Sequence, residues 1–325
     1  MEKTFGNLLE AQAYFNSEEK CWQHLEQSRW NGKPVCPYCG VDKAPYKLKG
    51  FKKYRCSDKD CKQTFTAAIG TIFEGTHIPL QKWYLAIYLA TAHKKGISSL
   101  QLGRDLSVSK HTAWYLLHRV REMLNGKAPV LLEGTVQIDC TFIGGKLHYK
   151  SNAKRKAIRA KYEGKVPNED SKTTVLGILD GTTLHHQIVE SEEAAYVLPE
   201  MRKRVKEGST IVTDQRNFYS NLSDKYNHVS VNHGESEYVK NGFTTNGIEG
   251  AFSLLKRSIY GIYHSVSAKH LHRYCAETAY RYNTREKTDA ERFNHSLIQA
   301  EGKRLTYKRL INKQQPLASA ETPTV

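Results

Sequence analysis

Four cysteines crowded into 26 residues constrain this chain more than any other feature. Cys36-Pro37-Tyr38-Cys39 is followed after sixteen residues by Cys56, and after four more by Cys61. Two thiolate pairs on separate turns can close a tetrahedral site around Zn²⁺. Tyr46, Phe51, Tyr54 and Phe65 are the side chains expected to pack beside it, a core too thin to fold without the metal. The remaining cysteines, Cys21, Cys140 and Cys275, are scattered and read as small buried hydrophobes. A disulfide framework is not expected, because the N-terminus lacks a signal-peptide pattern and the chain reads as cytoplasmic. No stretch approaches the roughly 20 apolar residues of a spanning helix, so a membrane partner is not expected either.

The spacing predicts a zinc ribbon over residues 34–66. Ribbons of this kind bind DNA, RNA or protein, and the fold alone does not choose among them. Charge does bear on the choice. Lys47, Lys49, Lys52, Lys53 and Arg55 lie between the thiolate pairs, and the chain carries 49 Lys and Arg against 33 Asp and Glu. A net charge of +16 attracts polyanions, which favours a nucleic-acid phosphate backbone as the partner; a basic protein with no such partner fits the charge equally.

Ahead of the ribbon, residues 1–33 read as an amphipathic helical lead-in with Trp22, Leu25 and Trp30 on its apolar side and either Asn16 or Ser17 as a cap. Behind it, residues 77–125 read as a helical DNA-binding segment. There Ser98 to Leu106, a turn at Ser107-Val108-Ser109, and Lys110 to Leu124 fit a helix-turn-helix. The second helix carries Lys110, His111, His118, Arg119 and Arg121. An ordinary helical hairpin with a solvated basic face fits the same residues.

The period changes at Thr135. Val136, Ile138, Cys140 and Phe142 alternate with Gln137, Asp139 and Thr141, which predicts a strand with one apolar face. Thr173–Asp180 and Thr183–Glu190 read as a hairpin through Asp180-Gly181. A helix is expected from Ser191 to Val205, strands at Thr210–Asp214 and His228–His233, and helices at Asn246–Ile259 and Lys269–Asn283. That order predicts an α/β domain over 135–285, a mixed sheet flanked by helices. The chain after about residue 300 lacks apolar periodicity, and residues 286–325 read as a C-terminal tail.

Three acidic positions in this domain invite chemistry. Asp139 sits on the polar side of its strand, where it neither packs nor caps. Asp214 ends the apolar run Ile211-Val212-Thr213, the end of a strand that commonly lines a site; capping a helix at Asn217–Leu222 is the competing role. In the helix from Asn246, positions 246, 249, 253 and 256 share one face, so Glu249 and Lys256 point the same way; a surface Glu–Lys face fits equally. Phosphodiester cleavage needs a deprotonated water and a stabilised leaving oxyanion. Two divalent cations about 4 Å apart supply both and need acidic ligands from different elements; Mg²⁺ or Mn²⁺ fits such a set. Lys256 can hold a phosphate.

Ile138-Asp139-Cys140-Thr141-Phe142-Ile143-Gly144-Gly145-Lys146, Thr213-Asp214, Thr245-Asn246-Gly247-Ile248-Glu249-Gly250 and Ser253-Leu254-Leu255-Lys256-Arg257 together resemble the zinc-ribbon, ISXO-like group of bacterial insertion-sequence transposases. Gly261-Ile262-Tyr263-His264 and Tyr280-Arg281-Tyr282-Asn283-Thr284-Arg285 continue the likeness. The resemblance implies an RNase-H-like, DDE-type domain that cuts element ends and joins the 3′-hydroxyl to target DNA, acting as a homo-oligomer on DNA. It maps the catalytic triad onto Asp139, Asp214 and either Glu249 or Asn246, with Lys256 downstream. Glu249 is the better ligand on charge. The family pattern has Glu after the first Asp, where this chain has Cys140; on the strand reading Cys140 faces the core. Lys146–Lys172, with nine Lys or Arg against three acids, reads as a DNA-contacting loop or a solvated one. A DNA-binding regulator without catalysis, and a nuclease without joining activity, are the competing functions.

Overall fold

The computed structural model describes residues 5–126, 131–144, 151–161, 172–214, 225–231, 239 and 242–312. The chain divides into two compact units, one of residues 1–127 with 284–312 and one centred on residues 128–283.

The first unit begins with α1 (Leu8–Tyr14), capped by Asn7, and α2 (Glu18–Trp30), capped by Ser17. Of the two candidate caps, Ser17 is the one used. Strands β1 (Tyr46–Lys47), β2 (Tyr54–Arg55) and β3 (Thr64–Phe65) form a small antiparallel sheet. Helices α3 (Leu80–Ala92), α4 (Ser99–Asp105) and α5 (Lys110–Leu124) follow. Helix α3 is apolar almost all round, and Trp83, Tyr84 and Ile87 are fully buried, as expected of a helix enclosed on every side.

The second unit contains β4 (Thr135–Ile143), α6 (Asn152–Lys161), β5 (Thr173–Leu179), β6 (Leu184–Val189), α7 (Ala194–Arg202), β7 (Thr210–Asp214), β8 (Asn227–Val231), α8 (Asn246–Ser258), a π-turn at Ile259–Tyr263 and α9 (Ala268–Asn283). The sheet order is β6-β5-β4-β7-β8. The first three strands are antiparallel to one another, while β4, β7 and β8 run parallel. This is the expected mixed sheet flanked by helices, preceded by a zinc-ribbon-like region.

The chain then returns to the first unit as α10 (Asp289–Ile298) and α11 (Tyr307–Ile311). The expectation of a tail from residue 286 is corrected here. Thr288 and Glu291 form a capping box, and Phe293, Leu297, Leu305 and Leu310 are buried. Phe293 closes an aromatic cluster with Phe5, Phe15 and Tyr84, with ring centroids 4.7–5.6 Å apart. Such short helices show little periodicity, yet each supplies one or two anchors to a core built by residues nearly 300 positions away.

Both faces of the large sheet are covered. Val136, Ile138, Leu176, Ile178 and Ile211 pack with Val197 and Met201 of α7, and Cys140 lies against this cluster, facing the core as expected. On the other face Ile143, Val175, Leu179 and Leu184 pack under Ile248, Phe252 and Leu255 of α8 and Leu271 and Cys275 of α9. The expectation that β4 has a single apolar face is therefore corrected: the face bearing Gln137 and Asp139 is roofed by α8. Gly177, the register partner of Asp139, makes that roof possible. A methyl group on it would lie 2.6 Å from Ile248 Cδ1 and 2.7 Å from Phe252 Cε1. Gly177→Ala is expected to destabilise the unit by about 1–3 kcal/mol through overpacking, read as a lower urea midpoint with unchanged slope.

Candidate functional site

The four predicted thiolates converge. Their Sγ atoms all lie within 4.8 Å of one another, with Cys39 and Cys56 3.5 Å apart and Cys36 and Cys61 3.8 Å apart. A tetrahedron of Zn–S bonds near 2.3 Å has edges of about 3.8 Å, so the set fits zinc. Burial pushes the Cys36 thiol up, but the backbone N–H groups of Tyr38 and Cys39, together with the Cys39 and Cys56 thiols, hold it below its usual value. Those donors favour the thiolate that a metal requires. Tyr54 and Phe65 pack beside the cysteines, with Trp30 edge-on to both rings. Tyr46 does not join this core. It pairs with Arg55, which pairs with Thr64, so these three share the outer face of the sheet, where Tyr46 is 62% exposed. Strand alternation puts Lys47 on the inner face, its ammonium 5.7 Å from the Tyr54 ring, and leaves Lys53 and Arg55 outside.

The basic residues of α5 also divide. Lys110 and His111 are exposed, but His118, Arg119 and Arg121 are buried, correcting the expected basic face. Arg119 donates to the carbonyls of Ile72 and Glu74 and stacks 4.8 Å from Trp83. Its charge is spent on tying the chain after the ribbon to α5, a long-range role that no local pattern announces.

The carboxylates lie in the second unit. Ile138 of β4 and Thr213 of β7 are register partners in a parallel pair, so the next residues, Asp139 and Asp214, stand level on adjacent strands. Both belong to the sheet face covered by α8, opposite the buried Ile138 and Thr213, and both are half-buried. Adjacent strands are about 4.8 Å apart. Two carboxylates so placed repel each other unless a cation lies between them. The Asp139 carboxylate also accepts the Cys140 N–H at 2.7 Å. The competing cap role of Asp214 concerns residues 217–222, which lie outside the described residues.

Helix α8 is docked at its start by Gln137, whose Oε1 accepts the Ile248 N–H at 2.8 Å. Gln137 precedes Asp139 by two on the same face, so the strand that carries the acid also sets the helix that follows Asn246. This residue was not singled out from the sequence, although its place on the polar side of the same strand was the available signal. Asn246, Glu249 and Lys256 are exposed on α8. Thr245 Oγ1 donates to Glu249 at 3.4 Å. Among the described residues the four thiolates form a group of metal-ligating side chains close enough to share an ion; Asp139, Asp214 and Glu249 are not drawn into a second one. Three like charges have no reason to converge on their own.

A family model described as an ISXO2-like transposase domain matches residues 131–283, and one described as a transposase zinc-ribbon domain matches residues 16–64. The chain belongs to the zinc-ribbon, ISXO2-like transposase family. A relative from Halobacterium salinarum, described as an uncharacterized protein in transposable element ISH50, is 29% identical over 252 residues, covering 75% of this chain and 83% of its own length. No solved structure matches the chain. No helix among the described residues is long and apolar enough to cross a membrane.

Some of the motifs that carry the transposase likeness are architectural. Asn283 grips the backbone of β6 with both ends of its amide, accepting the Leu184 N–H at 2.7 Å and donating to the Leu184 carbonyl at 3.1 Å. Arg281 Nη1 donates to Glu277 at 2.7 Å in a buried pair, and Tyr263 Oη donates to the same carboxylate at 2.9 Å. The Gly261–His264 and Tyr280–Arg285 motifs therefore meet, pinning the π-turn that ends α8 onto α9. Of the basic segment Lys146–Lys172, the structure describes residues 151–161, which include α6, and Lys172; the remainder lies outside the described residues.

His186 of β6 lies under α9 and stacks on Phe252 at 5.9 Å. Burial holds its ring down at about 4, with a smaller opposing contribution from the Cys275 backbone. His185, on the other face, is also near 4, lowered by burial and then by Arg204. Unfolded imidazoles protonate near pH 6.5, so between about pH 6.5 and 4 the unfolded chain binds more protons than the folded one. Stability is expected to be full above pH 6.5 and to fall as the pH drops through this window. Urea midpoints measured against pH check it, and His186→Phe should flatten the decline.

Proposed function

We propose that the chain is a DNA transposase whose second unit, an RNase-H-like domain, cuts element ends and joins the freed 3′-hydroxyl to target DNA. The observation that carries the reading is the level pair Asp139 and Asp214, half-buried on adjacent parallel strands beneath the helix bearing Asn246, Glu249 and Lys256. The ISH50 relative, named for a transposable element, supports the same role.

In this reading Asp139 and Asp214 hold Mg²⁺ or Mn²⁺, with Glu249 completing the set and Asn246 as the neutral alternative on the same helix face. Such ions supply Lewis-acid stabilisation of the phosphate oxygens and a more acidic nucleophile. Lys256, two turns beyond Glu249, neutralises a phosphate of the bound strand. Gln137 and Gly177 fix α8 over Asp139, so the third ligand is held by packing rather than by a loop. The ribbon and α5 bring DNA to the site, and pairing of two ends calls for a homo-oligomer on DNA within the cytoplasm.

The test is strand transfer with purified protein, Mg²⁺ or Mn²⁺, and labelled duplexes carrying the terminal repeats that flank the gene. Joined products are expected. Binding without cleavage favours a regulator, and nicks without joining favour a nuclease.

A further inference from the structure

We propose that Thr213 and His228 are positioning residues for Asp214, holding from the opposite face of the sheet the strand end that presents its carboxylate. The proposal rests on the reading of Asp214 as a catalytic ligand and adds two residues that act on it through its backbone.

Asp214 is the last residue of β7. Termini of elements open more readily than their centres, and a reacting group displaced by a small distance loses much of its effect. A carboxylate placed level with Asp139 therefore needs its own peptide fixed. Successive side chains of a strand point to opposite faces. Asp214 accordingly faces α8, while Thr213 faces α7 beside its register partner Ile138 and beside Ile211, two residues earlier.

Thr213 is fully buried in that apolar surrounding. Valine has the same shape and would fill the place without a polar group, whereas a buried hydroxyl destabilises unless it is hydrogen-bonded. The Thr213 hydroxyl is bonded twice. Its Oγ1 lies 2.9 Å from the Asp214 carbonyl oxygen and 2.9 Å from His228 Nε2. A carbonyl oxygen only accepts, so the single hydroxyl hydrogen goes to Asp214 and Oγ1 accepts from His228. Nε2 of His228 therefore carries a hydrogen. Burial holds the ring below its ordinary pKa, so near neutral pH it is uncharged and the bond selects one tautomer. The donors run in series, from His228 to Thr213 to the Asp214 carbonyl.

His228 reaches across from β8, the edge strand, where it is the register partner of Ile211. The last described pair of the β7–β8 ladder is Asp214 with Val231, so the side-chain bonds tighten the end of that ladder. They leave the carboxylate's charge alone and fix where it stands.

The experiment compares Thr213→Val, Thr213→Ser, His228→Leu, His228→Gln and Asp214→Asn in the full zinc-loaded chain. Thr213→Val and His228→Leu each break the series. Their kcat for strand transfer is expected to fall about 10–100-fold, the usual cost of losing a group that orients a ligand, with KM for the labelled duplex unchanged. Thr213→Ser restores the hydroxyl, and His228→Gln offers an amide N–H in place of Nε2–H, so both should recover most of the loss. Thr213→Val combined with His228→Leu should lose no more than the larger single loss, because the two changes break one series.

A second readout needs neither activity nor divalent metal. Imidazole nitrogen NMR shifts should report the Nε2–H tautomer of His228 in the unaltered chain. Amide exchange at the end of β7 should quicken in Thr213→Val while that of β4 and β5 stays slow. Undiminished kcat in Thr213→Val, or an Nδ1–H tautomer in the unaltered chain, overturns the proposal. Full strand transfer by Asp214→Asn overturns instead the reading beneath it, and with it the functional role of the two residues; that failure is told apart because the tautomer and the exchange are then as expected.

Discussion

Asp139→Ala and Asp214→Ala are each expected to lower strand transfer by on the order of 10³-fold while leaving zinc content and duplex binding unaltered. The size follows from the several kcal/mol of transition-state stabilisation that a bound cation supplies; about 4 kcal/mol corresponds to roughly 10³-fold in rate. The direction follows from the register that sets the two residues level on adjacent strands, so that loss of either leaves one carboxylate to hold what two were placed to share. Both side chains are half-buried and Asp139 accepts the Cys140 N–H, so Asp139→Asn and Asp214→Asn, which keep the size and one accepting oxygen while removing the charge, are the variants expected to melt close to the unaltered chain. That combination separates a catalytic role from a structural one: activity falls while stability does not. Asn246→Ala and Glu249→Ala measured beside them identify the third ligand, the larger loss marking it. Full strand transfer by Asp139→Ala would remove the catalytic reading.

The features legible in the sequence were those whose cause is local. The four thiolates announced themselves by spacing because a turn that presents two ligands to one metal has a fixed length. Strand β4 showed in its alternation, and the turn at Asp180 in residues that satisfy themselves: Asp180 Oδ1 accepts the Thr182 and Thr183 N–H groups at 3.0 and 2.7 Å. What escaped was set by distant partners. Arg119 reads as a surface cation until Ile72 and Glu74 supply its acceptors. Tyr46 reads as core until the strand register turns it outward. Residues 289–311 read as a tail because their apolar side chains are few, and only the cleft left by α2, α3 and α5 gives each one a place. Gln137 is polar on a face that also bears Asp139, so nothing in the alternation distinguishes a residue that docks a helix from one that ligates a metal.

Cys36→Ser is expected to release the ribbon's zinc and unfold residues 34–66 while the sheet of the second unit persists. Cys36 is 1% exposed and contributes both a ligand and packing area to a core whose other buried members are Tyr54, Cys56 and Phe65. So small a cluster cannot offset the chain entropy of more than thirty residues; zinc binding in comparable modules is worth about 10–16 kcal/mol and is in effect the folding energy. Losing a group that merely hydrogen-bonds a ligand costs about 10–100-fold in metal affinity, so losing a ligand outright costs more. Zinc measured per chain after dialysis should fall well below that of the unaltered protein. Amide exchange should become fast over the ribbon, including Tyr54 and Phe65, and stay slow in β4, β5 and β7, whose core of Val136, Ile138, Val175, Leu176 and Val212 is built without any ribbon residue. Duplex affinity should drop for all sequences alike, since the cations of the ribbon's outer face are held in place by the fold the metal supports. Retained zinc in Cys36→Ser would mean that three thiolates with another donor suffice and that the four-thiolate assignment is wrong. Exchange that accelerates equally in β4 would mean that the two units do not fold independently.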